Sequence, residues 1–149
     1  MPLLDDRVQK QVRTALADLA GPVRLVMFTQ RESAPLECAF CAETRQLVEE
    51  VGQLSDKIAV DIRDFEADAE LARSYGIDKI PAIVMETGGP TPKDHGIRFY
   101  GMPSGYEFST FLEDLRMLGR GDAGLSKATR DAIARITRPV RIQVFVTPT

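Results

Sequence analysis

The chain contains two cysteines, Cys38 and Cys41, separated by Ala39 and Phe40. A mostly apolar run at residues 23–29 precedes them and has the composition of a buried strand, and the residues after them have the spacing of an amphipathic helix. A pair with this spacing at the start of a helix can close a small disulfide ring with little rearrangement. Because no cysteine remains for a structural disulfide elsewhere, we expect this pair to carry the chemistry of the protein.

The position of the pair predicts a different role for each thiol. Cys38 is expected at a helix N-terminus, where unpaired N–H groups and the helix dipole favour an anion. The thiolate is the species that attacks a disulfide, so Cys38 is the predicted attacking residue. Cys41, one turn further in, is predicted to resolve the mixed disulfide. The neighbouring Glu37 carboxylate opposes a thiolate, so we expect the pKa of Cys38 to be lowered only moderately.

Other uses of the same spacing are half of a zinc site, an iron–sulfur cluster shared between two chains, and an inert cysteine pair. A tetrahedral zinc site needs two further donors, and the chain offers one histidine, His95, and no third cysteine. His95 lies between Asp94 and Gly96, a setting typical of a solvated loop. The alternatives stay open here, but the prediction is a redox dithiol with no metal and no cofactor beyond the pair.

Helical and strand patterns alternate along the first 119 residues. The last helix has a capping-box pair, Ser104 and Glu107. This order predicts an α/β fold, in which a small central sheet has helices on both faces. Helices are predicted at about residues 3–19, 38–54, 67–75 and 104–118, and strands at about residues 23–29, 58–64, 82–87 and 97–100.

Pro81 directly precedes the third predicted strand and follows a short helix. On the local sequence alone, an ordinary trans proline at a strand start would be the better interpretation. In the context of a strand, a cysteine pair and a helix, we predict a cis Ile80–Pro81 bond. Such a bond would turn the Ile80 backbone toward the cysteines, where it could pair with an extended substrate segment. Ile80 and Pro81 are therefore predicted substrate-binding residues.

Residues 127–142 align without a gap on residues 10–25. A lysine, an arginine, two alanines and the run Pro-Val-Arg coincide, and an apolar run follows each copy. Such internal similarity predicts a second copy of one structural unit. We therefore expect a domain at 1–119, a linker at 120–125, and the first helix and first strand of a truncated second unit at 126–149. The chain would then be a piece of a longer protein.

The order of strand, Cys-x-x-Cys helix, strand, helix, Ile-Pro strand, hairpin and final helix resembles the thioredoxin superfamily. More narrowly, residues 75–82 (Tyr-Gly-Ile-Asp-Lys-Ile-Pro-Ala) and 99–108 (Phe-Tyr-Gly-Met-Pro-Ser-Gly-Tyr-Glu-Phe) are similar to prokaryotic protein disulfide oxidoreductases. These are glutaredoxin-like proteins with two thioredoxin units in tandem. The resemblance implies a thioredoxin-like fold, with a four-stranded mixed sheet flanked by helices and an extra N-terminal helix.

The same resemblance implies roles for individual residues. Cys38 matches the nucleophile of these proteins, Cys41 their resolving cysteine and Pro81 their cis-proline. The implied activity is thiol–disulfide exchange with protein substrates, with electrons from a thioredoxin-reductase-like flavoprotein. Residues 25–28 lack the buried acid that thioredoxins keep beneath their cysteines, which leaves the proton route to Cys41 unassigned.

The alternative function is a docking or binding module of a two-unit protein whose main dithiol lies in a second half. A net charge of −3 argues against nucleic acid as a partner, and no apolar run is long enough to predict a membrane span. Cysteine usage and an acidic N-terminus predict a cytoplasmic location. The strand expected from Val140 to Thr147 would lack its sheet. We therefore expect it to pair with an edge of the first sheet or with a second chain in a dimer.

Overall fold

The computed structural model describes residues 1–31 and 38–147. Helices and strands alternate through most of these residues, in the order that the sequence predicts. The elements are α1 (Asp6–Leu16), β1 (Val23–Thr29), α2 (Cys41–Gly52), β2 (Ile58–Asp64), α3 (Ala69–Ser74), β3 (Ala82–Thr87), β4 (Lys93–Tyr100), α4 (Tyr106–Arg120) and α5 (Lys127–Ala134).

The four strands form one mixed sheet in the order β2-β1-β3-β4. Strand β1 pairs in parallel with β2 and antiparallel with β3, and β3 forms an antiparallel pair with β4. Strand β1 is therefore central, and six of its seven residues are buried. Its near-continuous apolar sequence reflects burial on both faces of the sheet. The predicted α/β fold with a four-stranded mixed sheet is confirmed.

Helices cover the two faces of the sheet unequally. Alternate residues of β1 point to opposite faces, so Leu25 belongs to one apolar cluster and Phe28 to the other. The larger cluster contains residues of α1, α2 and α4. The smaller cluster contains Ala72 of α3 and Ile77, which follows α3. The cysteine pair at the start of α2 thus belongs to a helix anchored in the larger core.

A carboxylate on α2 holds the residues that precede α1. The backbone N–H groups of Leu3 and Leu4 donate to the Glu50 carboxylate at 2.9 and 2.8 Å. Burial opposes ionisation of Glu50, but these two hydrogen bonds and one from Gln46 outweigh it and lower the pKa of its carboxyl. Leu4 is only 7% exposed as a result, and α1 packs on the core through Val12 and Leu16.

A network of charges crosses the sheet on the face that also carries α3. The Arg24 guanidinium on β1 donates to Glu86 on β3 at 2.9 Å and to Asp61 on β2 at 2.5 Å. Glu86 is 2% exposed and also accepts a hydrogen bond from the Tyr75 hydroxyl at 3.1 Å. Burial, and then the Glu86 carboxylate, raise the pKa of Tyr75. The network thus fixes three adjacent strands to one another through side chains.

The capping box predicted from Ser104 and Glu107 is not formed. Helix α4 begins at Tyr106 after Gly105, which acts as the N-cap without a side-chain hydrogen bond. In a capping box the Ser104 side chain would accept the Glu107 N–H. Here the Glu107 N–H donates to the Ser104 backbone oxygen at 3.2 Å. At the other end, α4 runs to Arg120, one residue into the expected linker, and Gly121 ends it in a left-handed conformation.

The predicted strand at 140–147 is not formed. Helix α5 forms over Lys127–Ala134 with Ser126 as its N-cap, but none of its residues is buried. Residues 139–147 have no regular structure, and the Val140 and Ile142 side chains are 67% and 82% exposed. A β-strand requires backbone hydrogen bonds to a neighbouring strand. Within the described residues, this segment pairs with neither edge strand of the sheet, β2 or β4. The expected pairing with the first sheet is therefore wrong for this chain, and pairing with a second chain stays a prediction.

Across residues 1–31 and 38–147, every helix falls short of the length and apolar character that a membrane crossing requires.

Candidate active site

The two cysteines form a disulfide at the N-terminus of α2, with their Cα atoms 5.5 Å apart. The helix begins at Cys41, so Cys38 lies in the turn before it, and the sequence-based start near Cys38 is three residues early. The Cys41 N–H donates to the Cys38 carbonyl oxygen at 3.4 Å within this turn. Phe40, between the cysteines, acts as the N-cap and is 58% exposed.

The two sulfur-bearing residues differ in their access to solvent. Cys38 is half-buried, whereas Cys41 is 4% exposed and belongs to the buried face of α2. A reactant approaching from outside therefore reaches Cys38 first. The division of roles, in which Cys38 attacks and Cys41 resolves, stays a prediction.

The first turn of α2 presents backbone N–H groups without a side-chain cap. Backbone N–H groups that no side chain caps, together with the aligned peptide dipoles of the helix, make the N-terminus favourable for negative charge. Cys38 lies beside this end, so a thiolate formed there would be stabilised. Glu37, predicted to oppose that effect, falls among residues 32–37 and lies outside the described residues.

A cleft of about 580 Å³ opens beside the disulfide. Two arginines border it, and each pairs with a carboxylate: Arg45 with Glu49 at 2.8 Å and Arg31 with Asp64 at 3.1 Å. The cleft is lined by Thr29, Gln30, Arg31, Cys38, Cys41, Ala42, Arg45, Gln46 and Glu49.

The Ile80–Pro81 bond is cis, as predicted. Ala82, the next residue, pairs with Phe28 of β1, which places Pro81 opposite the end of that strand, where Thr29 enters the cleft. The Pro81 carbonyl oxygen accepts a hydrogen bond from the Gly101 N–H at 2.9 Å. The fold therefore brings Cys38, Cys41, Ile80 and Pro81 to one end of the sheet.

Two polar residues near the disulfide were not predicted. Thr44 is fully buried on α2, and its hydroxyl has no hydrogen-bond partner among the described residues. The Gln30 side-chain oxygen, at the end of β1, is also buried without a partner in that part of the chain. Thr44 follows Cys41 by three positions, a spacing that places both on one helix face and could have indicated it from sequence.

His95 lies in β4, not in a loop, and its side chain is exposed. No cluster of three or more His, Cys, Asp or Glu side chains arranged to hold a metal occurs in residues 1–31 and 38–147.

A central β1 followed by a cysteine pair at a helix N-terminus, a cis proline before β3 and the order β2-β1-β3-β4 define a thioredoxin-like fold. No protein-family model matches the sequence, and no curated protein matches it. Similarity to solved structures is extensive at the level of the fold.

One similar structure is a protein disulfide oxidoreductase from Aeropyrum pernix K1. It has a TM-score of 0.74 and 20% sequence identity, over 89% of this chain and 55% of that one. A second is the NTD_N/C domain of the alkylhydroperoxide reductase AhpF from Enterococcus faecalis, with a TM-score of 0.74 and 22% identity, over 86% of this chain and 58% of that one. A thioredoxin from Thermus thermophilus is similar with a TM-score of 0.51 at 20% identity. The chain thus spans little more than half of the first two structures.

Proposed function

We propose that the protein is a thiol–disulfide oxidoreductase that exchanges disulfides with protein substrates through Cys38 and Cys41. One observation carries the proposal. The chain's two cysteines form a disulfide at a helix N-terminus of a thioredoxin-like fold, with Cys38 accessible and Cys41 buried. An accessible thiolate attacks, and a buried thiol close behind it closes the ring.

The exchange proceeds in two balanced steps. The Cys38 thiolate attacks one sulfur of a substrate disulfide, which forms a mixed disulfide and releases the other substrate sulfur as a thiolate. The Cys41 thiolate then attacks the Cys38 sulfur, which forms the Cys38–Cys41 bond and releases the second substrate thiolate. The dithiol gives up two electrons and two protons, and the substrate disulfide takes them up as two thiols.

We assign substrate binding to Ile80 and Pro81, which lie at the same end of the sheet as the disulfide. The Pro81 carbonyl already accepts from Gly101, whereas the Ile80 backbone forms no hydrogen bond with another described residue. Ile80 therefore has a donor and an acceptor available to an extended substrate segment, which would pair as an added strand does. Exposed Phe40 adds apolar surface next to Cys38.

The proposal includes a thioredoxin-reductase-like flavoprotein as electron donor, as the family resemblance implies. The similar fold of a domain of alkylhydroperoxide reductase AhpF supports a place in a reductase system. A cytoplasmic location fits a chain whose cysteines both belong to one redox motif. The repeat at 127–142 supports a unit at 1–119, a linker at 120–125 and the start of a second unit at 126–149.

The second candidate function is a docking module that presents the Ile80–Pro81 surface while another unit carries out the exchange. This chain covers only 55% and 58% of two similar structures, so the part that it does not cover could carry the exchange in a longer protein. Its distinguishing property is that the Cys38 sulfur would be dispensable.

The test compares Cys38→Ser, Cys41→Ser and the unchanged chain in reduction of a protein disulfide by dithiothreitol. We expect Cys38→Ser to abolish the accelerated reduction and Cys41→Ser to accumulate a mixed disulfide, detected by mass spectrometry. The unchanged chain should show a two-thiol transition in graded dithiothreitol redox buffers, near roughly −270 mV for a reductant or about −120 mV for an oxidant. Full function in Cys38→Ser, or no reversible Cys38–Cys41 bond, would refute the enzyme and favour the docking module.

A further inference from the structure

A buried hydroxyl with no hydrogen-bond partner among the described residues lies one helical turn from the disulfide. Thr44 is 0% exposed, and its Oγ1 forms no hydrogen bond with any described residue. A helical threonine often donates to the carbonyl four residues earlier, which here is that of Phe40. That carbonyl accepts the Thr44 backbone N–H at 3.0 Å but receives no hydrogen bond from the Thr44 hydroxyl. Since most buried polar groups are hydrogen-bonded, this orphan hydroxyl needs an explanation.

The position of Thr44 relates it to Cys41. The buried residues of α2 are Cys41, Thr44, Leu47, Val48 and Val51, so Cys41 and Thr44 are neighbours on the core side of the helix. Side chains in a helix lean toward its N-terminus, and Thr44 therefore leans toward the turn that Cys41 begins. All other buried residues of this face are apolar. Among the side chains on this face, the Cys41 sulfur is thus the one that could accept a hydrogen bond from the Thr44 hydroxyl.

We propose that Thr44 is a positioning residue that donates its O–H to the Cys41 sulfur once the disulfide opens. The inference rests on the proposed thiol–disulfide exchange. A sulfur in a disulfide is a poor acceptor, so the hydroxyl is unpaired in the oxidised protein. A buried thiolate is a strong acceptor and requires a donor, and the hydroxyl can supply one.

The chemical step shows when the hydrogen bond forms. A thiolate of a partner attacks the Cys38 sulfur, a new S–S bond forms, and the Cys38–Cys41 bond breaks. The electron pair of the broken bond leaves with the Cys41 sulfur, which becomes a thiolate at a site 4% exposed. Thr44 donates to this sulfur without losing its proton. In the reverse direction, Cys41 attacks Cys38 and the hydroxyl becomes unpaired again, so Thr44 favours the reduced protein.

The proposed role gives the Cys41 thiolate a stabilising group even though β1, beneath the cysteines, carries no acid. Residues Leu25, Val26, Met27 and Phe28 of β1 are fully buried and apolar. A neutral hydroxyl on α2 stabilises the leaving thiolate by donation, whereas a carboxylate on β1 would exchange a proton with it. The distinction is testable, because an O–H that does not ionise contributes no titration of its own.

The experiment uses the full chain with Thr44→Val, which removes the hydroxyl and keeps the shape, and Thr44→Ser, which keeps the hydroxyl. Thr14→Val is the matched control, since Thr14 on α1 already donates to the Lys10 carbonyl at 2.9 Å. The redox equilibrium with dithiothreitol is measured by alkylation and mass spectrometry. Thermal unfolding is measured for the oxidised and the reduced forms.

We expect Thr44→Val to shift the equilibrium three- to tenfold toward the disulfide, where tenfold corresponds to about 30 mV for a two-electron couple. The oxidised variant should unfold at an equal or higher temperature than the unchanged chain, because an unpaired buried hydroxyl is gone, and the reduced variant at a lower one. Thr44→Ser should stay within twofold of the unchanged chain, and Thr14→Val should not shift the equilibrium.

Equal effects of Thr44→Val on both redox forms, with an unchanged equilibrium, would overturn the inference and leave Thr44 a packing residue. If Thr44→Val does not fold, Thr44→Ala also lacks the hydroxyl and decides the question by the same equilibrium. The two proposals fail separately. An unchanged chain without a reversible Cys38–Cys41 bond refutes the exchange activity, whereas normal cycling with an unshifted Thr44→Val equilibrium refutes only the role of Thr44.

Discussion

Residues 10–29 and residues 127–146 share one sequence pattern but have different structures. Both begin with a helix, α1 in the first copy and α5 in the second. Helix α1 has an Asp5 cap and buries Val12 and Leu16, whereas α5 has a Ser126 cap and buries none of its residues. The helix therefore forms in both copies, because its hydrogen bonds and its cap are local.

The apolar runs that follow the two helices show the opposite result. Phe28 is fully buried in β1, and the aligned Phe145 is 88% exposed in a segment without regular structure. A strand needs neighbours on the sheet, and β1 has β2 on one side and β3 on the other. The second copy has no such neighbours within the described residues. Local pattern thus suffices for a helix, but a strand depends on what the rest of the chain supplies.

The largest predicted effect separates the two aligned phenylalanines. Phe28→Ala should lower the free energy of unfolding by about 3–5 kcal/mol, because it removes a fully buried ring that packs edge-on against Tyr75 at 6.1 Å. Phe145→Ala should change it by less than about 0.5 kcal/mol. Urea denaturation followed by circular dichroism measures both. A destabilising Phe145→Ala would show that the second apolar run packs in solution.

Removal of the helix cap should also lower global stability in the first copy and not in the second, by less than the phenylalanine substitution does. The Asp5 side chain accepts from the Val8 N–H at 2.8 Å, and the Ser126 hydroxyl from the Thr129 N–H at 3.2 Å. Asp5→Ala should cost about 1 kcal/mol of global stability, since α1 is part of the core. Ser126→Ala should reduce the helicity of α5, measured by amide hydrogen exchange, and leave the global unfolding transition in place. A shift of that transition by Ser126→Ala would contradict the independence of α5.

The smallest predicted effect is on the pH dependence of stability, and it concerns the carboxylates that contact the segments before the two helices. The lowered pKa of Glu50 means that its carboxylate stabilises the fold above the unfolded-state pKa, about 4.3. This contribution is lost as the pH falls through the lower folded-state pKa. Glu50→Gln should therefore reduce stability at pH 7 by less than about 1 kcal/mol, since the group is partly exposed, and flatten the acid limb of the pH profile.

The matched control for Glu50→Gln is Asp122→Asn, which removes the exposed pairing of Asp122 with Arg130 at 3.0 Å before α5. Urea midpoints between about pH 3 and pH 7 should be the same for this variant and the unchanged chain. An acid limb that is equally steep in Glu50→Gln and the unchanged chain would show that Glu50 does not hold the N-terminal residues.

Most of the first unit could be predicted from the sequence, because its signals are local or strongly periodic. The run at 23–29 is apolar at nearly every position, and the strand has those bounds. The cysteine spacing and the Ile80–Pro81 dipeptide identified the residues that the fold brings to one end of the sheet. The sequence could not show that residues 140–147 form no strand, because their pattern equals that of β1. The two segments differ in that β1 has strand neighbours and residues 140–147 have none within the described residues.

The capping box and Thr44 show two other limits. Ser104 and Glu107 have the spacing of a capping box, but Gly105 is the N-cap, one residue after Ser104, and the helix begins at Tyr106. Thr44 has an ordinary helix-interior sequence context, and its significance comes from a buried hydroxyl with no partner among the described residues, which only the structure shows. Spacing alone places Thr44 near Cys41 but does not show that its hydroxyl forms no hydrogen bond to the Phe40 carbonyl.

The charge network around Arg24 also has a consequence for register. A shift of β1 by one residue would move Arg24 to the opposite, apolar face and leave Glu86 buried without its cation. The network therefore selects one alignment of β1 among the alignments that backbone hydrogen bonds alone would permit. Arg141 occupies the aligned position in the second copy. A strand that paired with residues 140–147 and carried acids where Asp61 and Glu86 stand would neutralise Arg141, so side-chain charge favours such partners for this apolar run.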